Sequence, residues 1–173
     1  MKRLLFPAIL VIIYLILSPA CRKIVDYPNE PVVSFSSVVV VDSSDVLNNP
    51  VKRVTLTFHL TDGDGDMGLG PTDTTGPFHK DSMYYYNLII NEFKKEGMDF
   101  IPVPEPDGLK RYRIPDITPS GQNKTLVADI SVTIEYPYSD IKPLPFSEFL
   151  YQFHVIDRSL NISNTDTSSI ITW

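Results

Sequence analysis

The chain has 173 residues, 43% of them apolar, and a formal net charge of −6, which fits one domain with a sizeable core once any targeting segment is set aside. Its basic residues are scattered, with Lys94-Lys95 only a short run, so the acidic body is repelled by nucleic acid and by anionic lipid surfaces. Fifteen prolines, eight glycines and no sustained helical period argue against a helix bundle.

The chain opens with MKRLLFPAILVIIYLILSPACRK. Lys2 and Arg3 form a basic head, and Leu4 to Leu17 form an uncharged apolar stretch broken only by Pro7. That stretch is shorter than the ~20 residues a spanning helix needs, so residues 1–20 read as a signal peptide. LSPAC, ending on the only cysteine in the chain, resembles the lipobox of bacterial lipoproteins. The resemblance implies cleavage before Cys21, diacylglycerol on its thiol and a further acyl chain on the new amino terminus. Ser18 and Pro19 depart from the family pattern, which prefers leucine and a small residue there. The alternative makes Cys21 an ordinary residue after a signal peptide or at the end of an uncleaved anchor.

Two acyl chains already hold a protein on a bilayer, at about 0.8 kcal/mol per buried methylene. Loss of Lys2 and Arg3 on cleavage takes the net charge from −6 to −8, so only the lipid would keep the body at an anionic membrane. Arg22 stands where an aspartate would, by resemblance to enteric lipoproteins, favour inner-membrane retention. The outer membrane is therefore the expected location, on either its periplasmic or its surface face. Residues 21–31 are expected to be the lipidated cysteine and a short tether containing Pro28 and Pro31.

From residue 32 onward the pattern is that of strands. VVSFSSVVVV at 32–41 is the first. In VKRVTLTFHLTD, Val54, Leu56, Phe58 and Leu60 fall on one face and Arg53, Thr55, Thr57, His59 and Thr61 on the other. This period of two marks a half-buried antiparallel strand. Further strands are expected in MYYYNLIINEF (83–93), MDFIPV (98–103) and KRYRI (110–114), then in TLVADISVTIE, FLYQFHVID and TSSIITW (167–173). Asn48-Asn49-Pro50, Glu96-Gly97, Pro106-Asp107-Gly108 and Pro119-Ser120-Gly121 supply the turns.

Seven or eight such strands predict an all-β, antiparallel β-sandwich over residues 32–173. FHVIDRSLNISNTDTSSIITW resembles the last two strands of immunoglobulin-like domains in bacterial surface proteins. Together with the lipobox and LTDGDGDMGL, it makes the chain similar to uncharacterised lipoproteins of Bacteroidota, which carry no established activity. An outer-membrane barrel ending at Trp173 is rejected, because the sequence alternates in the sense opposite to a barrel wall in lipid.

The loop after the second strand, DGDGDMGLGP, sets Asp62, Asp64 and Asp66 one residue apart, with glycines that let their oxygens converge. Calcium takes six to eight oxygens at about 2.3–2.6 Å. The stretch resembles the start of an EF-hand loop and has Asp73 at the twelfth position, but Met67 stands where that loop requires glycine and no flanking helices are predicted. Asp62 continues the inward row of its strand, and Asp157 continues the row Phe149, Tyr151, Phe153, Val155. If the two strands run in the same direction, both carboxylates lie at one pole. Asp62, Asp64, Asp66 and Asp157 are then the expected calcium ligands, with Asp73 and Asn161 as candidates for additional oxygens. The competing reading is a mobile, turn-forming loop in which Asp157 caps backbone amides.

Asp62-Gly63-Asp64 also resembles the paired aspartates of phosphatases in that one feature, but those enzymes use an α/β fold not predicted here. His59, His79 and His154 lack metal-ligand spacing, no serine sits in a nucleophile elbow, and no glycine-rich phosphate cradle precedes a helix, so no enzyme is expected. Tyr84, Tyr85, Tyr86 and Phe93 suggest either a stacking platform for sugars or, by alternation of Tyr84 and Tyr86, core packing. Asp73-Thr74-Thr75 and Asp81-Ser82-Met83 resemble O-glycan sequons of Bacteroidota, with Thr74 and Ser82 as acceptors. The expected function is a lipid-anchored, non-enzymatic binding or structural module of the cell envelope. Glycan capture for carbohydrate uptake is the alternative, and the expected partners are an envelope protein or a glycan.

Overall fold

A computed structural model describes residues 27–173; Cys21, the expected signal peptide and most of the expected tether lie outside the described residues. Among the described residues nine strands run in chain order: β1 (Val32–Ser44), β2 (Pro50–Asp62), β3 (Leu88–Glu96), β4 (Asp99–Pro102), β5 (Leu109–Tyr112), β6 (Leu126–Pro137), β7 (Glu148–Val155), β8 (Asp166–Thr167) and β9 (Ile171–Thr172). Two single turns of 3-10 helix, Gly76–Phe78 and Met83–Tyr85, lie between β2 and β3. No helix among the described residues is long and apolar enough to cross a membrane.

The strands form an all-β sandwich of two antiparallel sheets. One has the order β1-β2-β6. In the other, β3 pairs β7 at the centre, β4 and β5 share the far edge of β3, and β8 and β9 share the far edge of β7. The period-two residues of β2, β6 and β7 fill the space between the sheets, with Leu56, Phe58, Leu60, Tyr151 and Phe153 fully buried. Burying a large apolar side chain contributes about 1.5–3 kcal/mol, so these facing rows hold the layers together.

The aromatic contacts fix the relative direction of β2 and β7. Phe58 meets Phe153 with ring centroids 5.0 Å apart, while Tyr136, the partner of Lys52 in the ladder, meets Phe149. Advancing along β2 therefore advances along β7, and the two strands end at the same pole.

Two expected strands are altered. TSSIITW divides into β8 and β9, because Ser168 turns its hydroxyl inward to accept the Tyr151 amide and interrupts the ladder. MYYYNLIINEF becomes a strand only at Leu88. Ser82 caps the 3-10 turn through the Tyr84 amide, and the Asn87 side chain bonds both the N–H and the carbonyl of Ile114. The turn breaks the alternation, so Tyr84, Tyr85 and Tyr86 stay half-buried and take no part in the core.

Candidate metal centre

β2 carries its inward row two residues past Leu60 to Asp62, which has 0% exposure. The chain then curls through Gly63 and Gly65, bringing Asp62, Asp64 and Asp66 together. One ligand oxygen from each lies within 4.8 Å of the others. Both Asp62 oxygens, with one from Asp64 and one from Asp66, are buried and have no hydrogen-bond partner. The second Asp66 oxygen accepts the Ser159 hydroxyl at 2.6 Å.

Burial, then the neighbouring Asp64, push the Asp62 carboxyl up to about 7, and Asp66 adds to the rise. The Gly65 amide opposes the shift without reaching hydrogen-bond geometry. Arg158 reaches this loop beside the cluster, but its guanidinium is committed to Gly68 O and to Asp116, which it meets at 2.8 Å. Three mutually repelling carboxylates with buried, unpartnered oxygens are an arrangement that a hard cation relieves. The candidate ligand atoms are all oxygens, with neither imidazole nor thiolate, a donor set that suits calcium over zinc or copper.

The loop is packed rather than loose. Met67 and Leu69 are buried, Gly63 N–H donates to Pro28 O, Leu69 N–H to Ile114 O, and Ile117 N–H to Met67 O. Gly65 has φ +64, and a Cβ there would lie 1.8 Å from Lys124 O. Of the competing turn-forming reading one part is present, since Asp157 accepts the Asn161 backbone amide. The glycines serve a backbone that passes against three other segments.

Asp157 lies at the same pole, 2% exposed. Burial raises its pKa, Asn161 lowers it, and the charges of Asp66 and Asp64 raise it further. Its two oxygens accept the Asn161 amide and side-chain N–H groups, both at 2.8 Å, so Asp157 and Asn161 form a pair beside the cluster. The Arg158 amide donates to Asp66 O and joins the two loops directly. Asp73 is not part of the cluster: its carboxylate accepts the Gly70 amide, and Arg113 clamps the carbonyls of Gly70 and Asp73. Thr74 is exposed, whereas the Ser82 hydroxyl is engaged as a cap.

Two features have only a faint trace in the sequence. Ser159, one residue past Arg158, bonds Asp66 although nothing in its spacing marks it. Glu92 lies in the inward phase of Leu88 and Ile90, 2% exposed, where Tyr136 donates to it and Lys110 approaches at 3.5 Å. The period of β3 foretells its direction; its partners come from β5 and β6.

The chain matches no protein-family model. No curated protein and no solved structure matches it either.

Proposed function

We propose that the chain is a lipid-anchored, non-enzymatic binding or structural module of the bacterial cell envelope, with its loop pole held by calcium. The observation that carries the calcium reading is Asp62, fully buried in a cluster of three carboxylates with both its oxygens unpartnered. Asp62, Asp64 and Asp66 are the ligands, and Asp157 completes the acidic pole. The strand orders β1-β2-β6 and β3-β7-β8 support an immunoglobulin-like form of the sandwich. The lipid anchor rests on LSPAC and Cys21, and Arg22 favours the outer membrane over the inner.

Calcium titration calorimetry and thermal unfolding of the detergent-purified chain test the pole. Binding heat and a raised Tm are expected; no heat and no Tm shift at millimolar calcium would sink the reading. Mass spectrometry of the mature amino terminus tests the anchor, and an unmodified Cys21 would remove it.

A second reading, capture of a glycan, is favoured by the placement of Tyr84 and Tyr86. Both stay at the surface although alternation predicts them in the core.

A further inference from the structure

The outer face of the second sheet carries a cleft of about 600 Å³, within the range of about 300–1,000 Å³ typical of small-molecule sites. Its floor is a cross-strand row, because Ile89 pairs His154 on one side and Arg111 on the other. Asn91 projects from the same face one step along β3, and Tyr84 and Tyr86 form a wall from the 3-10 turn.

That wall is held from behind. Tyr86 meets Tyr85 edge to face at 4.9 Å, and the Arg113 guanidinium lies 4.8 Å from the Tyr85 ring centre. Arg113 in turn bonds the carbonyls of Tyr85, Gly70 and Asp73. The Tyr86 ring is thus preorganised, which lowers the ordering cost of any ligand that stacks on it.

Among the described residues, the side chains of Tyr84, Tyr86, Asn91 and His154 have no hydrogen-bond partner, and Arg111 has only a 3.8 Å contact with Glu105. The cleft therefore offers two aromatic rings together with a planar amide, an imidazole and a guanidinium that are all free to bond. The backbone groups beneath are already used in the β3, β5 and β7 ladders. A peptide adding as a strand needs a free sheet edge, which this face does not provide.

From this geometry we infer that the cleft between Tyr84, Tyr86, Asn91, Arg111 and His154 binds a sugar residue of an oligosaccharide. The C–H face of a pyranose lies against the negative face of an aromatic ring. Its neighbouring hydroxyls match the fixed donor and acceptor pairs of amide and guanidinium groups. The inference rests on the second reading above, capture of a glycan. It names the site and ligand class and does not depend on the calcium pole.

The test is calorimetric titration of the full chain in detergent with a panel of neutral and uronic-acid oligosaccharides, at fixed calcium. Saturable binding by at least one is expected, weakened about tenfold or more by Tyr86→Ala and by Arg111→Ala. Arg111 is exposed on β5, so its variant tests the cleft even if the Tyr86 variant loses stability. No binding to any panel member at millimolar concentration would overturn the glycan reading and the inference with it, whereas binding with affinity unchanged in both cleft variants would overturn the cleft alone. Neither failure would touch the calcium reading, whose own heat is measured separately.

Discussion

Gly63 donates its N–H to the carbonyl of Pro28 at 2.8 Å, so the residue between Asp62 and Asp64 also holds the segment by which the chain enters the sandwich. A Cβ on Gly63 would lie 2.3 Å from Tyr27 O and 2.6 Å from Pro28 O, and neither backbone atom can yield cheaply. Tyr27 and Pro28, within the expected tether, are therefore docked on the loop of the acidic cluster.

Gly63→Ala is predicted to lower stability by about 1–3 kcal/mol and to free the segment around Pro28. Hydrogen exchange checks both: the amide at position 63 should lose protection in the variant, and calcium should raise its protection in the parent chain. Exchange unaltered by the substitution would show that the contact does not hold the segment.

Asp62 makes stability depend on pH. Its carboxyl rises from 3.8 to about 7 in the fold, so the folded state binds its proton more tightly than the unfolded one. That contribution is fully present below pH 3.8 and is lost as pH rises through about 7. Burial shifts Asp157 in the same direction. Without calcium, denaturant unfolding should show stability falling by about 2–4 kcal/mol across that window through the Asp62 carboxyl. Calcium should flatten the fall, because the cation takes the place of the proton.

Asp62→Asn removes the buried charge and keeps the shape. The variant is predicted to be more stable than the parent at pH 7.5 without calcium, by about 1–3 kcal/mol, and to show no calcium-dependent rise in Tm. A variant that still gains stability from calcium would place the cation elsewhere.

Tyr136 joins Glu92 and Tyr151 inside the core, donating to Glu92 and lying 2.6 Å from the Tyr151 hydroxyl. Burial is the first cause of the raised pKa of Glu92, and the Tyr136 hydroxyl and Lys110 oppose it. Tyr136→Phe leaves the Glu92 carboxylate short of a donor and is predicted to cost about 1–3 kcal/mol. Chemical denaturation measures the loss. A double variant with Glu92→Gln should recover part of it, since the uncompensated charge is then absent.

Asn164 closes the gap between the sheets by mimicking a strand. Its side chain accepts Val33 N–H and donates to Val33 O, both at 2.9 Å, and Asp166 accepts Phe35 N–H. Asn164→Ala should strand both backbone groups of Val33, a residue 1% exposed, and cost about 2 kcal/mol or more. It also frees the edge of β1, so light scattering should show a greater tendency to associate.

The sheet faces and the inward direction of Asp62 were legible in the sequence. Strand geometry sends alternate side chains to opposite faces, so Val54 to Leu60, Leu126 to Ile134 and Phe149 to Val155 declare their buried sides locally. Glu92 follows the same rule within β3. Tyr84 and Tyr86 do not, because Ser82 and Asn87 form local and long-range hydrogen bonds that stop the strand at Leu88.

Tertiary structure alone decided that β2 and β7 run in the same direction, bringing Asp66 against Arg158 and Ser159. It also set Gly63 against Pro28 and aligned His154, Ile89 and Arg111 on one face. Alternation is a property of each strand's own backbone, whereas these meetings depend on which strands pair and which poles coincide. That choice is made by contacts between residues far apart in the chain, and no local period encodes it.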